Sequence, residues 1–184
     1  MREITSLLRA AQSGEPAAAD RVYRLLYADL RRLARHRLRQ AGGLTLLDTT
    51  ALVHESYLRL QGASEAEFPD RAHFLAYAGR VMRHVVVDLV RSRQAARHGG
   101  DLQRVTLDTA ANAGQAQADD QVLRVHEAVE ALAQLEPRLA QVVELRYFGG
   151  LTETEIAAGL GITERTVQRD WAKARLFLAE ALRT

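Results

Sequence analysis

Arg165, Gln168, Arg169, Ala172 and Lys173 recur at three- and four-residue steps near the end of this 184-residue chain. Residues at that spacing share one face of a helix. A face of cations, an amide and one small side chain suits the major groove of DNA. There Arg and Gln can hydrogen-bond base edges while cations meet phosphates. A second set lies upstream. Arg80, Arg83, His84, Val87 and Arg91 follow one side of a predicted helix, and Arg93 and Arg97 extend it. These five arginines meet one acid, Asp88. A solvated face normally intersperses acids among its cations, so the rail suits a phosphate backbone.

Other chemistries lack their residues. There is no cysteine, which excludes disulfides, thiol nucleophiles and thiolate metal sites. The six histidines, at 36, 54, 73, 84, 98 and 126, form neither HExxH nor an i, i+4 pair, so no metal site is expected. No glycine loop to cradle phosphate and no GxSxG occurs. His54 and Glu55 are neighbours, about 100° apart on a helix, and cannot form a simple dyad. The chain is expected to be no enzyme and to need no cofactor.

Both sets require helices to present them. Thr152 with Glu155 is a capping box that starts one helix. Ile156, Ala157 and Leu160 form its buried face, and Gly161 ends it. Thr163 caps the next helix, whose Val167, Trp171, Ala174 and Leu178 face inward. Leu151–Trp171 therefore reads as a helix-turn-helix; the alternative is an ordinary antiparallel pair with a solvated charged face. Upstream, apolar spacing predicts helices over 3–13, 17–39, 49–60, 72–96, 122–134 and 137–147. In the fourth, Val81, Val85 and Leu89 make the core stripe. Phe68 in the preceding polar loop reads as a packing plug or a binding residue.

The expected class is all-α: two small helical domains, 1–97 and 122–184, joined by a flexible linker over 98–121 that is rich in Gly, Ala, Gln, Asp and Asn. The C-terminal domain is expected to hold four helices ending in the helix-turn-helix. Residues 1–97 carry 16 Arg and 10 acids, net +6; the linker carries one Arg and four acids, net −3; residues 122–184 carry eight Arg or Lys and nine acids, net −1. The groove-reading domain is not basic overall. It should bind DNA weakly alone, because phosphate neutralisation supplies most non-specific affinity. No signal peptide or membrane-spanning run is read, and a cytoplasmic location is expected.

Leu135-Glu136-Pro137-Arg138, then Val142-Val143-Glu144-Leu145-Arg146-Tyr147-Phe148-Gly149-Gly150-Leu151-Thr152-Glu153-Thr154-Glu155-Ile156-Ala157, resembles the extracytoplasmic-function (ECF) sigma factors of bacterial RNA polymerase. Ala51-Leu52-Val53-His54-Glu55-Ser56-Tyr57-Leu58-Arg59-Leu60 resembles their D-L-V-Q-E-x-F-L-R-L segment. The resemblance extends over nearly the whole chain and implies roles. Core RNA polymerase and promoter DNA would be the partners, with no membrane. Asp48, Val53, His54, Glu55 and Leu58 would dock on the clamp helices of the polymerase's largest subunit. Phe68, Arg80, Arg83, His84 and Arg91 would engage and melt the −10 element, capturing a flipped base. Thr163, Arg165, Thr166, Gln168, Arg169 and Lys173 would hold the −35 element, with Gln168 and Arg169 at base edges and Arg165 and Lys173 at phosphates.

Three departures from the family pattern stand out. His84 replaces the usual Asn. Asp170 lies in the recognition helix where a cation is common. The run Leu47-Asp48-Thr49-Thr50-Ala51 lacks part of the acid expected on the polymerase-facing surface. Phosphorylation of Thr49 or Thr50 would add about −1.5 to −2 charge each, with a Ser/Thr kinase rather than an anti-sigma factor as controller; alternatively these threonines cap the helix. The other functional reading is a stand-alone helix-turn-helix regulator with an N-terminal helical sensor. A helical adaptor without DNA contact fits poorly with two cationic faces.

Overall fold

The computed structural model describes residues 2–13, 15–40, 47–61, 68, 70–99 and 109–183. Its helices are α1 (Arg2–Gln12), α2 (Pro16–Gln40), α3 (Thr49–Gln61), α4 (Arg71–Gly99), α5 (Thr109–Leu135), α6 (Pro137–Val143), α7 (Glu153–Leu160) and α8 (Glu164–Ala181). A π-helical stretch, Glu144–Phe148, runs on from α6. No strand occurs among the described residues, and the class is all-α.

Five elements, α2, α3, α5, α7 and the π-helical stretch, pack against α4. Leu75, Ala78, Met82, Val85, Val86 and Val90 close an N-terminal core with Leu8, Leu26, Leu30, Leu33, Leu52 and Val53. Each Leu, Val or Met side chain among them contributes about 1.5–3 kcal/mol when fully buried. Ala76, also on α4, joins a second core with Val142, Leu145, Leu151, Ile156 and Val167. A third, Val129, Leu132, Leu139, Val143, Phe148 and Ala174, ties α5, α6 and α8. Of the predicted Val81–Val85–Leu89 stripe, Val81 and Val85 are buried and Leu89 is only half-buried. Val86 and Val87 are buried too, because α5, α7 and the π-helical stretch pack on α4 as well as α2 and α3. A helix apolar on several sides is buried on several sides.

The stretch expected as a linker is shorter than 98–121. Residues 100–108 lie outside the described residues, and α5 already runs from Thr109. Its first half is alanine-rich, and alanine is the best helix former. Its acids are also tied down. Arg93 and Arg97 of α4 donate to the buried Asp119 at 2.7 and 2.9 Å, and Gln94 donates to Asp120 at 2.8 Å. The acidic bias read as linker character therefore serves as counter-charge for the end of the arginine rail.

The C-terminal turns follow local chemistry. Gly149 N–H bonds the Glu144 carbonyl at 2.8 Å and Leu151 N–H bonds the Leu145 carbonyl at 3.0 Å, closing the π-helical stretch. A side chain on Gly149 would place its Cβ 2.5 Å from the Leu145 carbonyl oxygen. Gly150 then turns the chain at φ 63°, a region glycine enters without steric cost. The capping box forms as read: Thr152 Oγ1 accepts from Glu155 N–H at 3.2 Å, and Thr152 N–H donates to Glu155 Oε2 at 2.9 Å. Gly161 ends α7 in the left-handed conformation.

Candidate nucleic-acid interface

Three elements hold α8 in place. Thr163 Oγ1 accepts from Thr166 N–H at 3.2 Å, and the two hydroxyls meet at 2.9 Å. These two threonines therefore set the start of the helix. Val167 and Ala174 are buried against the cores below. Asp170, 1% exposed, turns inward, where Arg138 of α6 donates to it at 2.6 and 3.3 Å. Asp170 was expected to weaken the positive face. Its buried carboxylate meets the exposed Arg138 at 2.6 Å and pins α8 to α6, with Arg169 of the positive face a more distant neighbour.

The outward face is the one the spacing predicts. Arg165, Gln168, Arg169 and Lys173 are all exposed, and Thr166 is half-buried. The Arg169 side chain is 63% exposed, its guanidinium 3.8 Å from Asp170. Gln168 is held: its Nε2 donates to Glu153 Oε2 at 2.6 Å. Arg146 donates to the other oxygen of Glu153 at 2.5 Å and lies 5.0 Å over the Trp171 ring. Sequence reasoning missed Glu153 and Arg146, because no local pattern links positions fifteen apart across a turn.

The α4 rail divides. Arg80 and Arg91 are exposed and His84 is half-buried. Arg83 is only 4% exposed. Its guanidinium donates to Glu144 of the π-helical stretch at 2.8 Å and to Glu130 of α5 at 2.6 Å, and also bonds His126 Nδ1. Glu144, 3% exposed, also pairs with Arg37 of α2 at 3.6 Å. Arg37 donates to the Gly79 carbonyl at 3.0 Å and lies 3.6 Å over the Phe148 ring. Burial pushes Arg37 down to about 9, opposed by Glu144, so it stays charged at neutral pH. Arg83 thus does not face a DNA-accessible surface in this arrangement; it holds α4 against α5 and the π-helical stretch.

His84, His126 and Glu130 bring ligand-type atoms within 4.8 Å of one another, a grouping invisible in sequence because His84 comes from another helix. Arg83 already bonds two of the three, so a guanidinium fills the cationic position. Burial and Arg83 lower His126 to about 4, leaving it neutral. The same two causes lower His84.

Phe68 packs edge-on against Phe74 at 5.4 Å and lies tilted against Tyr77 at 5.2 Å. It borders a cleft of about 140 Å³ with His73, Tyr77, Arg80, Gln141 and Glu144.

On α3, Asp48 is the cap, its Oδ1 accepting from Ala51 N–H at 2.8 Å. The alternative reading had given the capping role to Thr49 or Thr50. Thr50 is exposed and Thr49 half-buried. His54 and Glu55 are exposed, and Leu58 stands 63% open. Val53 lies in the N-terminal core, so it positions the α3 surface without forming part of it. Arg59 reaches Glu55 at 3.5 Å and Asp88 of α4 at 2.7 Å, fixing α3 on α4.

Among the described residues no helix is long and apolar enough to cross a membrane. No curated protein matches the chain. The family model for ECF sigma factors matches residues 1–184. That match spans the whole chain and agrees with its all-α frame: the chain belongs to the ECF sigma factor family, whose members direct RNA polymerase to promoters.

Proposed function

We propose that this sigma factor reads the −35 element with the open face of α8, engages the −10 element with α4 and Phe68, and docks on the polymerase clamp helices through α3. The observation that carries the reading is the α8 face. Arg165, Gln168, Arg169 and Lys173 stand exposed together on a helix capped by Thr163 and pinned by Asp170. Gln168 and Arg169 take base edges, and Arg165 and Lys173 take phosphates. The exposed His54, Glu55 and Leu58 support docking through α3. For Arg83 to meet DNA, α4 must part from α5 and the π-helical stretch. Polymerase, holding the two halves apart along a promoter, supplies the means.

Run-off transcription tests this with purified chain, core polymerase and promoters carrying or lacking a −35 element. The chain alone is expected to bind promoter duplex poorly and to initiate once core polymerase is added. Arg169→Ala should cut transcription about tenfold at promoters with an intact −35 element, the scale of one lost bidentate base contact, and much less elsewhere. Equal loss at every promoter would refute the base-reading role. Tight, polymerase-independent binding as a dimer would favour the stand-alone regulator.

The same reading assigns control to the first turn of α3. Thr50 is exposed there beside the Asp48 cap, and a phosphate is favoured at a helix N-terminus. A Ser/Thr kinase would then switch polymerase docking, the role an anti-sigma factor otherwise takes. Thr50→Asp is expected to tighten core-polymerase binding several-fold in a titration; unchanged affinity for both Thr49→Asp and Thr50→Asp would exclude the switch.

A further inference from the structure

We infer that Glu153 is a positioning residue that orients the Gln168 amide, so that α8 prefers adenine at one position of its DNA site. The inference rests on the reading of α8 as the base-reading helix. Gln168 Nε2 lies 2.6 Å from Glu153 Oε2. An ionised carboxylate only accepts hydrogen bonds, and an amide donates only through its nitrogen. Chemistry alone therefore decides which end of the amide faces Glu153. The flipped amide would set its oxygen against a carboxylate.

Glu153 is itself held. It is the first residue of α7, and its Oε1 accepts from Arg146 at 2.5 Å. Arg146 lies on the Trp171 ring, one turn beyond Gln168 on α8. The clamp thus closes from the π-helical stretch through α7 back onto the recognition helix. Hydrogen bonds from Gln168 and Arg146 keep the Glu153 carboxyl below its ordinary range, so at neutral pH it is an acceptor only.

Once one amide hydrogen is committed to Glu153, Gln168 retains its oxygen as an acceptor and its second N–H as a donor. That pair complements adenine, which offers N6–H₂ and N7 side by side in the major groove. Guanine offers two acceptors there, and thymine offers one acceptor and a methyl group. A freely flipping glutamine can turn its NH₂ towards those edges. A clamped one cannot, and its preference for adenine sharpens.

The test is transcription by the reconstituted holoenzyme on a promoter set with each −35 base varied in turn. Wild type is expected to favour adenine at one position by about tenfold, the scale of a bidentate base contact. Gln168→Ala should erase that preference. Glu153→Gln, whose amide can accept or donate, should reduce it to about twofold at the same position while leaving the thermal midpoint and the other positions unchanged. If Gln168→Ala erases the preference and Glu153→Gln leaves it intact, the positioning role is overturned and the base-reading role survives. A uniform loss in Glu153→Gln at all promoters also overturns it, since that is what a structural residue would do. If Gln168→Ala changes no preference, the reading of Gln168 at a base edge fails, and the inference with it.

Discussion

Glu144→Gln is expected to lower the thermal midpoint by about 10 °C, or to expand the chain by opening the contact between α4 and the C-terminal helices. Glu144 is 3% exposed and faces two buried cations, Arg83 and Arg37. Removing one partner of a buried pair typically costs about 3–5 kcal/mol, because the remaining charge stays desolvated. For a chain of this length each kcal/mol lowers the midpoint by about 2–4 °C. The loss falls mainly on Arg37. Arg83 keeps Glu130 at 2.6 Å, whereas Arg37 keeps the Gly79 carbonyl and the Phe148 ring. Parting the interface would rehydrate both arginines, so its free energy sets a ceiling on the cost. Calorimetry and small-angle scattering separate the two routes. If neither midpoint nor radius of gyration moves, the cluster does not hold the halves together. An apolar pair, Glu144→Leu with Arg37→Met, should recover part of the loss, since it removes the desolvation cost of Glu144 and Arg37 while Arg83 keeps Glu130 at 2.6 Å.

What could be read from the sequence divides by range. Thr152 with Glu155, Gly161 and Thr163 act within a few residues, so their caps and turn were legible without coordinates. The exposed face of α8 followed from the same periodicity. Asp170 shows where that logic ends. Its spacing left it beside the exposed cations of α8, but its partner Arg138 sits on α6, and a long-range ion pair holds it inward. Arg83 shows the same limit: an arginine among arginines reads as part of a rail, and its buried partners Glu144, Glu130 and His126 come from other helices. One local signal was available. Met82, Val85, Val86, Val87 and Val90 spread around α4 too widely for a helix with one open side. Asp119 is the mirror case, an acid of apparent linker composition that lies buried between Arg93 and Arg97.

Gly159→Ala offers a sign test of the closed packing. Gly159 lies inside α7, where an alanine should favour the helix by about 1 kcal/mol. A Cβ at that position would lie 2.1 Å from the Ala72 Cβ on α4, far inside van der Waals contact. Neither atom can swing aside, because both are fixed to helix backbones. The helices must separate or strain, which typically costs about 1–3 kcal/mol. The closed arrangement therefore predicts a net loss from a substitution that helix propensity alone would make favourable. The midpoint should fall by a few degrees, and scattering should report a more extended chain. Ala72→Gly in the same chain removes the clashing methyl group and should restore most of the compactness. A higher midpoint for Gly159→Ala would mean that α7 does not rest on α4 in solution.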